Sequence, residues 1–529
     1  MRDRAAVGTL IALIGAWSAF LLLRWDAPFI DLPQHAWNLA MLRDPGAWAP
    51  GFHVRLRWLD TNSLWFQLDR VLALALTPGQ SLAVGFVLAI VGLPLASGYW
   101  ARELGRDGLL AVVFASWVCW SGMIYWGFLH YCLGVALGVA MLGLDRRQQR
   151  DGAGAGWLAA GWVALYSLHL IALAWTLILV VVQRAVFHAV GEEPVRRDRL
   201  AAAILAVVPG GLLSAVWFWR NLIRPGGQGT LGTLEGGLGL RWSGWTTVAR
   251  ALVGGLGPSA SWTWNDDAMV VILLAIGALG LAWALRTGRG RTPAWAAFAV
   301  VACSLLGMFT IPDEIRGQFL ISRRLVAFIP AGAAVLAAPR VRARQRRLLL
   351  ALGAAMALVQ MSVQHRTVLR FAEEAAPAHR MMAQAPPGKT LASWLEPTSS
   401  SVVRGPVYVH MAAWYAARAP GEAAFSFAHF EPNPVVYAET SDDRVTSSEA
   451  YRQWCTAFRG AATDVDLVLV RGTRPGAHCG ALRIYGNRLR ELARDGDWAL
   501  YEVARPLGPR QVDCRCRRDD PEPRPSSPR

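Results

Sequence analysis

The chain of 529 residues is 54% hydrophobic and only 17% charged, where a soluble globular chain carries about a quarter charged residues. Its 53 Lys+Arg against 37 Asp+Glu give a formal charge of +16, and Lys389 is the single lysine. The basic residues sit between apolar runs close to the roughly twenty residues that span a bilayer core, which argues against a nucleic-acid partner, excludes a disulfide mini-protein, a coiled coil and a disordered chain, and leaves a polytopic membrane protein.

In chain order, apolar runs predict eleven spans near 5–23, 81–100, 109–124, 128–144, 154–168, 170–187, 200–219, 268–285, 293–311, 325–339 and 348–364. Basic clusters separate them: Arg2/Arg4, Arg102/Arg106, Arg146/Arg147/Arg150, Arg184 with Arg196–Arg199, Arg286/Arg289/Arg291, and the arginines from Arg340 to Arg347. All fall on one side if the N-terminus is inside, as the positive-inside rule requires. The expected topology is a multi-pass protein of a bacterial-type inner (plasma) membrane, with a cytoplasmic N-terminus and long outer loops at 24–80 and 220–267. Segment 62–76 is apolar but short and carries Asp69–Arg70. Reading it as a span would turn every later cluster outward, so it is predicted to be an interfacial or re-entrant helix. The first run lacks a small-residue cleavage site and is expected to be an uncleaved anchor. Twenty-one of 25 tryptophans precede residue 365, many at run ends or in the outer loops, as in an aromatic interfacial belt.

From residue 366 the apolar runs shorten. The predicted architecture is an all-α membrane bundle of about eleven helices over 1–365, a small extracytoplasmic α/β domain over 366–518, and a disordered end over 519–529. Segments 406–417, 465–472 and 498–504 read as strands, and 481–495 as a helix. From residue 366 onward, 22 basic against 19 acidic residues leave about +3, which does not describe a nucleic-acid module. Cys119, Cys132 and Cys303 lie in apolar runs as filler. Cys455, Cys479, Cys514 and Cys516 lie in the outer domain, where disulfides form. Cys455–Cys479 is the expected pair, although four cysteines allow three connectivities.

The first outer loop opens Arg24-Trp-Asp26-Ala-Pro-Phe-Ile-Asp31-Leu-Pro33-Gln-His35. Pro33 suits the first turn of a helix and Asp31 its N-cap. His35, four residues on, shares a face with Asp31. A carboxylate on a proline-fixed turn just outside the first span is also well placed as a general base at the bilayer surface. Asp31 is therefore either a cap or a base, and His35 either an interfacial polar group or a catalytic partner.

The Asp31-x-Pro33-x-His35 turn resembles the first-loop acidic motif of the GT-C-type membrane glycosyltransferases. The long first outer loop, the many uneven spans and the C-terminal outer domain resemble that superfamily's layout. The resemblance implies a transferase that moves a sugar from a polyprenyl-phosphate donor, with inversion, onto a glycan, lipid or protein acceptor. Asp31 would then deprotonate the acceptor hydroxyl. Asp26 is the nearest acidic partner, with no adjacent Glu, so a divalent cation (Mg or Mn) stays open as a cofactor.

A departing polyprenyl phosphate needs fixed cations or donors. Arg323 and Arg324, adjacent on the outer side against the positive-inside trend, suit it because guanidinium groups bind phosphate in a planar, often bidentate way. Pairing with Asp313 and Glu314, or snorkelling to headgroups, is the plainer role. Arg316 is a third candidate. Asp266 and Asp267, beside Trp262 and Trp264, could contact sugar or metal or simply start a helix. His130 and His169, at outer ends of spans, could donate to phosphate or be packed polar residues. His53, Arg55, Arg57 and Asp60 form a polar cluster that could face the acceptor. His410 and His429 carry no argument from sequence. No Walker loop, His-Glu-x-x-His motif or nucleophile elbow is present. A transporter of lipid-linked saccharides, and a membrane anchor for an extracytoplasmic binding domain, are the rival functions.

Overall fold

Inside a bilayer every backbone polar group must be satisfied within the protein, so apolar runs become helices. The computed structural model describes residues 2–24, 27–48, 52–54, 60–190, 196–220, 240–242, 244–249, 265–288, 290–315, 320–396, 400–403, 405–424, 435–437, 465–472 and 489–504. In chain order the helices are α1 (Arg2–Arg24), α2 (Leu32–Arg43), α3 (Leu64–Leu72), α4 (Pro78–Glu103), α5 (Gly108–Ala115), α6 (Gly122–Tyr125), α7 (Leu129–Asp151), α8 (Ala155–Leu168), α9 (Leu170–Ala189), α10 (Arg197–Phe218), α11 (Asn265–Thr287), α12 (Arg291–Thr310), α13 (Ile329–Leu336), α14 (Ala343–Gln384) and α15 (Ala412–Arg418). The strands used below are β1 (Phe52–Val54), β2 (Thr390–Glu396), β3 (Glu422–Ala423), β4 (Val435–Tyr437), β5 (Leu467–Gly472), β6 (Leu489–Asp495) and β7 (Trp498–Val503).

The chain forms two units. The first comprises Met1–Arg24, Arg57–Val71 and Ala83–Thr367, and the second Trp25–Leu56, Leu72–Leu82 and Val368–Arg529. The first half of the 24–80 segment thus belongs with the C-terminal region rather than with the helical bundle.

Helices α1, α4, α7, α9, α10, α12 and α14, the last belonging to the first unit only as far as Thr367, are long and apolar enough to cross a membrane, which makes seven candidate spans among the described residues. The runs at 154–168 and 268–285 also form apolar helices, α8 and α11. Two predicted spans are not continuous helices. The run at 109–124 breaks after Ala115 and resumes only as α6. The indole N–H groups in that break find partners elsewhere: Trp117 donates to the Gly353 carbonyl at 2.8 Å and Trp120 to Ser18 Oγ at 3.2 Å. Run 325–339 is a 3-10 turn followed by α13, whose first turn contains Pro330, a residue that fits there because it lacks an N–H. Segment 62–76 forms α3, nine residues long, too short to span.

Helices α7 and α9 meet along a small-residue seam. A Cβ on Gly134 would lie 2.8 Å from Ala172 Cβ, and one on Gly138 2.2 Å from Thr176 Oγ1. Glycines four apart let two helices approach this closely. Farther along the same pair, Asp145, with 2% exposure, accepts from Arg184 Nη2 at 2.6 Å. Gln183 bridges Trp100 (2.7 Å) and the Leu142 carbonyl (3.0 Å). Such satisfied buried pairs fix helix register.

The second unit contains a five-stranded mixed sheet in the order β3-β2-β5-β7-β6. β2 is parallel to β3 and β5, and β7 is antiparallel to β5 and β6. Val468, Val470, Ala499 and Tyr501 form the centre of its core. Segments 465–472 and 498–504 are strands, as read from their patterns. Two other assignments are corrected. Segment 406–417 is a turn followed by α15, because Pro406 starts the turn and the alanine-rich AAWYAAR favours helix. The described part of 481–495 is strand β6, not helix. It is an edge strand whose outward charges resemble a helix surface, and it is tied to β7 by a turn at Gly496 (φ 57°). α2 packs against α15, and β1 pairs antiparallel with β4.

Candidate functional site

Each unit holds one cluster of the predicted residues. In the second unit Asp31 stands at the N-cap position of α2, but its side chain makes no capping hydrogen bond. Its Oδ1 instead lies 3.4 Å from His410 Nε2, with side-chain exposures of 13% and 7%. His410 ends the turn leading into α15, and its carbonyl accepts from the Ala413 N–H at 2.9 Å. Ala412 N–H donates to Ser393 Oγ on β2 at 3.3 Å, which anchors that turn to the sheet. A Cβ on Gly405 would meet Ile30 Cδ1 at 3.1 Å, so glycine there admits the residue preceding Asp31. His35 follows one turn on, its backbone N–H donating to the Asp31 carbonyl at 3.0 Å. A carboxylate oriented by an imidazole, and held off the helix end, retains lone pairs for a substrate hydroxyl.

In the first unit Arg324 is the hub. Its Nη1 lies 2.9 Å from His169 Nε2. The guanidinium sits 4.2 Å above the Phe128 ring and 6.0 Å from that of Tyr131. Tyr131 Oη donates to the Arg324 carbonyl, and the Tyr131 and His169 rings meet edge-on at 5.1 Å. His169 forms the break between α8 and α9, and its Nδ1 faces the Ile171 N–H at 3.2 Å. A neutral imidazole accepts at one ring nitrogen only, so one of these two donors, not both, is satisfied by the ring. His130, one residue before Tyr131 and buried, packs on Phe66 at 4.9 Å. The seam at Gly134 and Gly138 fixes α7 against α9 and so brings Tyr131 beside His169.

Arg323 behaves differently from its neighbour. It pairs with Asp313 Oδ2 at 2.8 Å, while Asp313 Oδ1 accepts from Ser322 Oγ at 3.0 Å. The local pairing foreseen for the two arginines thus holds for Arg323. Leu320, which opens this turn, has φ 62°, a left-handed conformation that costs a non-glycine residue about 1–3 kcal/mol. The bond from Ile321 N–H to the Asp313 carbonyl, at 3.0 Å, helps to hold it.

Asp26 and Arg316 lie outside the described residues, as do Cys455, Cys479, Cys514, Cys516, His429, Arg55 and Arg57. Asp266 and Asp267 fall in the first turn of α11, with side chains outside the description, as is the His53 side chain. Cys119 and Cys132 are buried free thiols and Cys303 is half-buried. Among the described residues no three His, Cys, Asp or Glu side chains converge as metal ligands. No step is assigned to a divalent cation. His410 is the residue that sequence reasoning passed over.

The fold is similar to that of solved membrane glycosyltransferases, in line with the resemblance drawn from the first-loop motif. In particular, the chain is similar to ArnT from Cupriavidus metallidurans. Against ArnT bound to undecaprenyl phosphate the TM-score is 0.54 at 14% identity, covering 94% of this chain and 98% of that one. Against apo ArnT it is 0.55 at 14% identity, covering 95% and 98%. The arabinofuranosyltransferase AftD from Mycobacteria gives 0.46 at 13% identity, and this chain spans 40% of its length. No protein-family model matches the sequence, and no curated protein matches it.

Proposed function

We propose that the protein is a membrane glycosyltransferase that moves a sugar from a polyprenyl-phosphate donor to an acceptor hydroxyl at the outer face of the inner membrane, with inversion. The eleven-span topology, the cytoplasmic N-terminus and the extracytoplasmic second unit are part of the proposal. The observation that carries it is the Asp31 carboxylate, turned from the helix it precedes onto a buried histidine, in a chain sharing the fold of a protein that binds undecaprenyl phosphate. Asp31 accepts the hydroxyl proton as the acceptor oxygen attacks the anomeric carbon. The bond from that carbon to the phosphate oxygen breaks, and the polyprenyl phosphate leaves with the bonding pair. Arg324, with His169 beside it, supplies fixed donors for the phosphate charge. Arg316 and His130 are assigned supporting roles around that phosphate, and Arg323, paired with Asp313, the plainer role of holding its turn. His35 is assigned as the catalytic partner of Asp31; Asp26, Asp266 and Asp267 are candidates for sugar or metal contacts, and Cys455–Cys479 remains the proposed disulfide.

Transfer of labelled sugar from a polyprenyl-phosphate donor by the purified chain in lipid, compared with Asp31→Asn, tests the proposal. Donor-dependent transfer that disappears in the variant is expected. Full transfer by Asp31→Asn would remove Asp31 as the base. Movement of lipid-linked sugar across the bilayer without any transfer would favour a transporter.

A further inference from the structure

At the end of the first unit where α1 begins, Arg4, Arg102, Arg106, Arg340 and Arg346 line one cavity with Asp107, enclosing about 600 Å³, within the range of small-molecule sites. Two of the five are neutralised. Arg102 pairs with Glu103 at 2.9 Å, and Arg346 binds Asp3 and Asp107. Arg4, Arg106 and Arg340 have no carboxylate partner among the described residues. Arg106 is 7% exposed. Its Nε and Nη2 donate to the Val335 and Leu336 carbonyls, both at 2.7 Å, at the end of α13. These bonds cap a helix C-terminus and fix the guanidinium, yet no acid balances its charge. Burial lowers its pKa to about 10, so it remains cationic at neutral pH. The three candidate spans α1, α4 and α14 each contribute their end residues to the lining, which sets the cavity at the depth of lipid headgroups. Leu95, 50% exposed, and Leu109 give it an apolar wall.

We infer that this cavity binds the phosphate of an anionic phospholipid headgroup, with an acyl chain along the Leu95 side. Arginine suits phosphate through planar, charge-assisted hydrogen bonds, and basic pockets between spans suit such headgroups. The site shares no residue with the Asp31 and Arg324 clusters and does not depend on the proposed transferase activity.

The test uses the full chain in phosphatidylcholine nanodiscs with and without phosphatidylglycerol, reading phosphatidylglycerol retained on the protein by native mass spectrometry. The wild type should retain it. The double variant Arg4→Gln/Arg340→Gln, at two exposed positions, should bind at least about tenfold more weakly. Arg344→Gln, exposed at the same end but off the lining, should bind like the wild type. Retention by the double variant equal to wild type would overturn the site. An equal loss in Arg344→Gln would overturn it in favour of a diffuse basic surface. Displacement by inorganic phosphate at matched concentration would overturn the lipid as occupant and leave a small-anion site.

Discussion

Asp31 and His410 meet at 3.4 Å although they lie far apart in sequence, one before α2 and the other before α15. A carboxylate at this position ordinarily caps its own helix, and here it does not. We expect Asp31→Asn to lower transfer by about 10²–10⁴-fold, the range for loss of a positioned general base. His410→Gln keeps a nitrogen donor and should retain most activity. His410→Phe removes the donor and should lower kcat about tenfold. In an Asp31→Asn background the same change should do little, because the two act as one unit. Additive losses in that cycle would mean that His410 does not work through Asp31.

Arg323 and Arg324 are adjacent yet separate in role. Arg323 is bound to Asp313 at 2.8 Å, and Arg324 to His169 at 2.9 Å above the Phe128 ring. Arg324→Gln should reduce transfer by about 10²–10³-fold, as for removal of one preorganised donor to a developing anion. Arg324→Lys should not restore it, since the compact ammonium lacks the planar fork. Arg323→Gln should leave Asp313 without its ion pair and show mainly as a lower unfolding temperature with kcat nearly unchanged. Equal kinetic losses in the two variants would contradict this division.

The apolar runs and arginine clusters made the bundle legible, because span length and loop charge are local properties of the chain. Asp31 was legible through its proline-fixed turn, and Arg323–Arg324 through their breach of the charge trend. The pairings were not. Successive residues on a helical turn point about 100° apart, and nothing in the sequence says which arginine meets Asp313. His410 sits in a stretch whose alternating apolar residues resemble a strand, so both its helix-leading turn and its distant partner were hidden. The charged edge strand β6 looked helical because its pattern lacks an apolar face, and β7 supplies its pairing.

The Gly138 seam supports the Arg324 cluster from a distance. A Cβ there would stand 2.2 Å from Thr176 Oγ1 and 3.2 Å from Phe328 Cε1. Gly138→Val should therefore destabilise the bundle by about 1–3 kcal/mol, as overpacking does. Because α7 also carries Tyr131, the variant should lose transfer in proportion to Tyr131–His169 displacement. Thermal unfolding in detergent reads the first effect, and Thr176→Ala in the same chain should recover part of it. No change in unfolding temperature would show that the seam relaxes freely.

Acid should loosen the second unit through Glu374. This α14 carboxylate accepts from Ser400 Oγ at 2.7 Å and from Ser401 Oγ at 2.8 Å, and it pairs with Arg471. Arg471 in turn lies 4.4 Å over Tyr408, whose ring stacks on Phe371. Burial acts to raise the Glu374 pKa, but the serine hydrogen bonds and the Arg471 charge outweigh it and hold the group below its ordinary value. A depressed folded-state pKa adds stability above the unfolded-state pKa, and that stability is lost as pH falls through the folded value. Unfolding followed by intrinsic tryptophan fluorescence should therefore need less denaturant as pH drops below the usual carboxylate range. Glu374→Gln should start less stable at neutral pH, because Arg471 loses its counter-charge, and should lose less of its remaining stability on acidification. A variant with the wild type's full acid sensitivity would show that other carboxylates govern it.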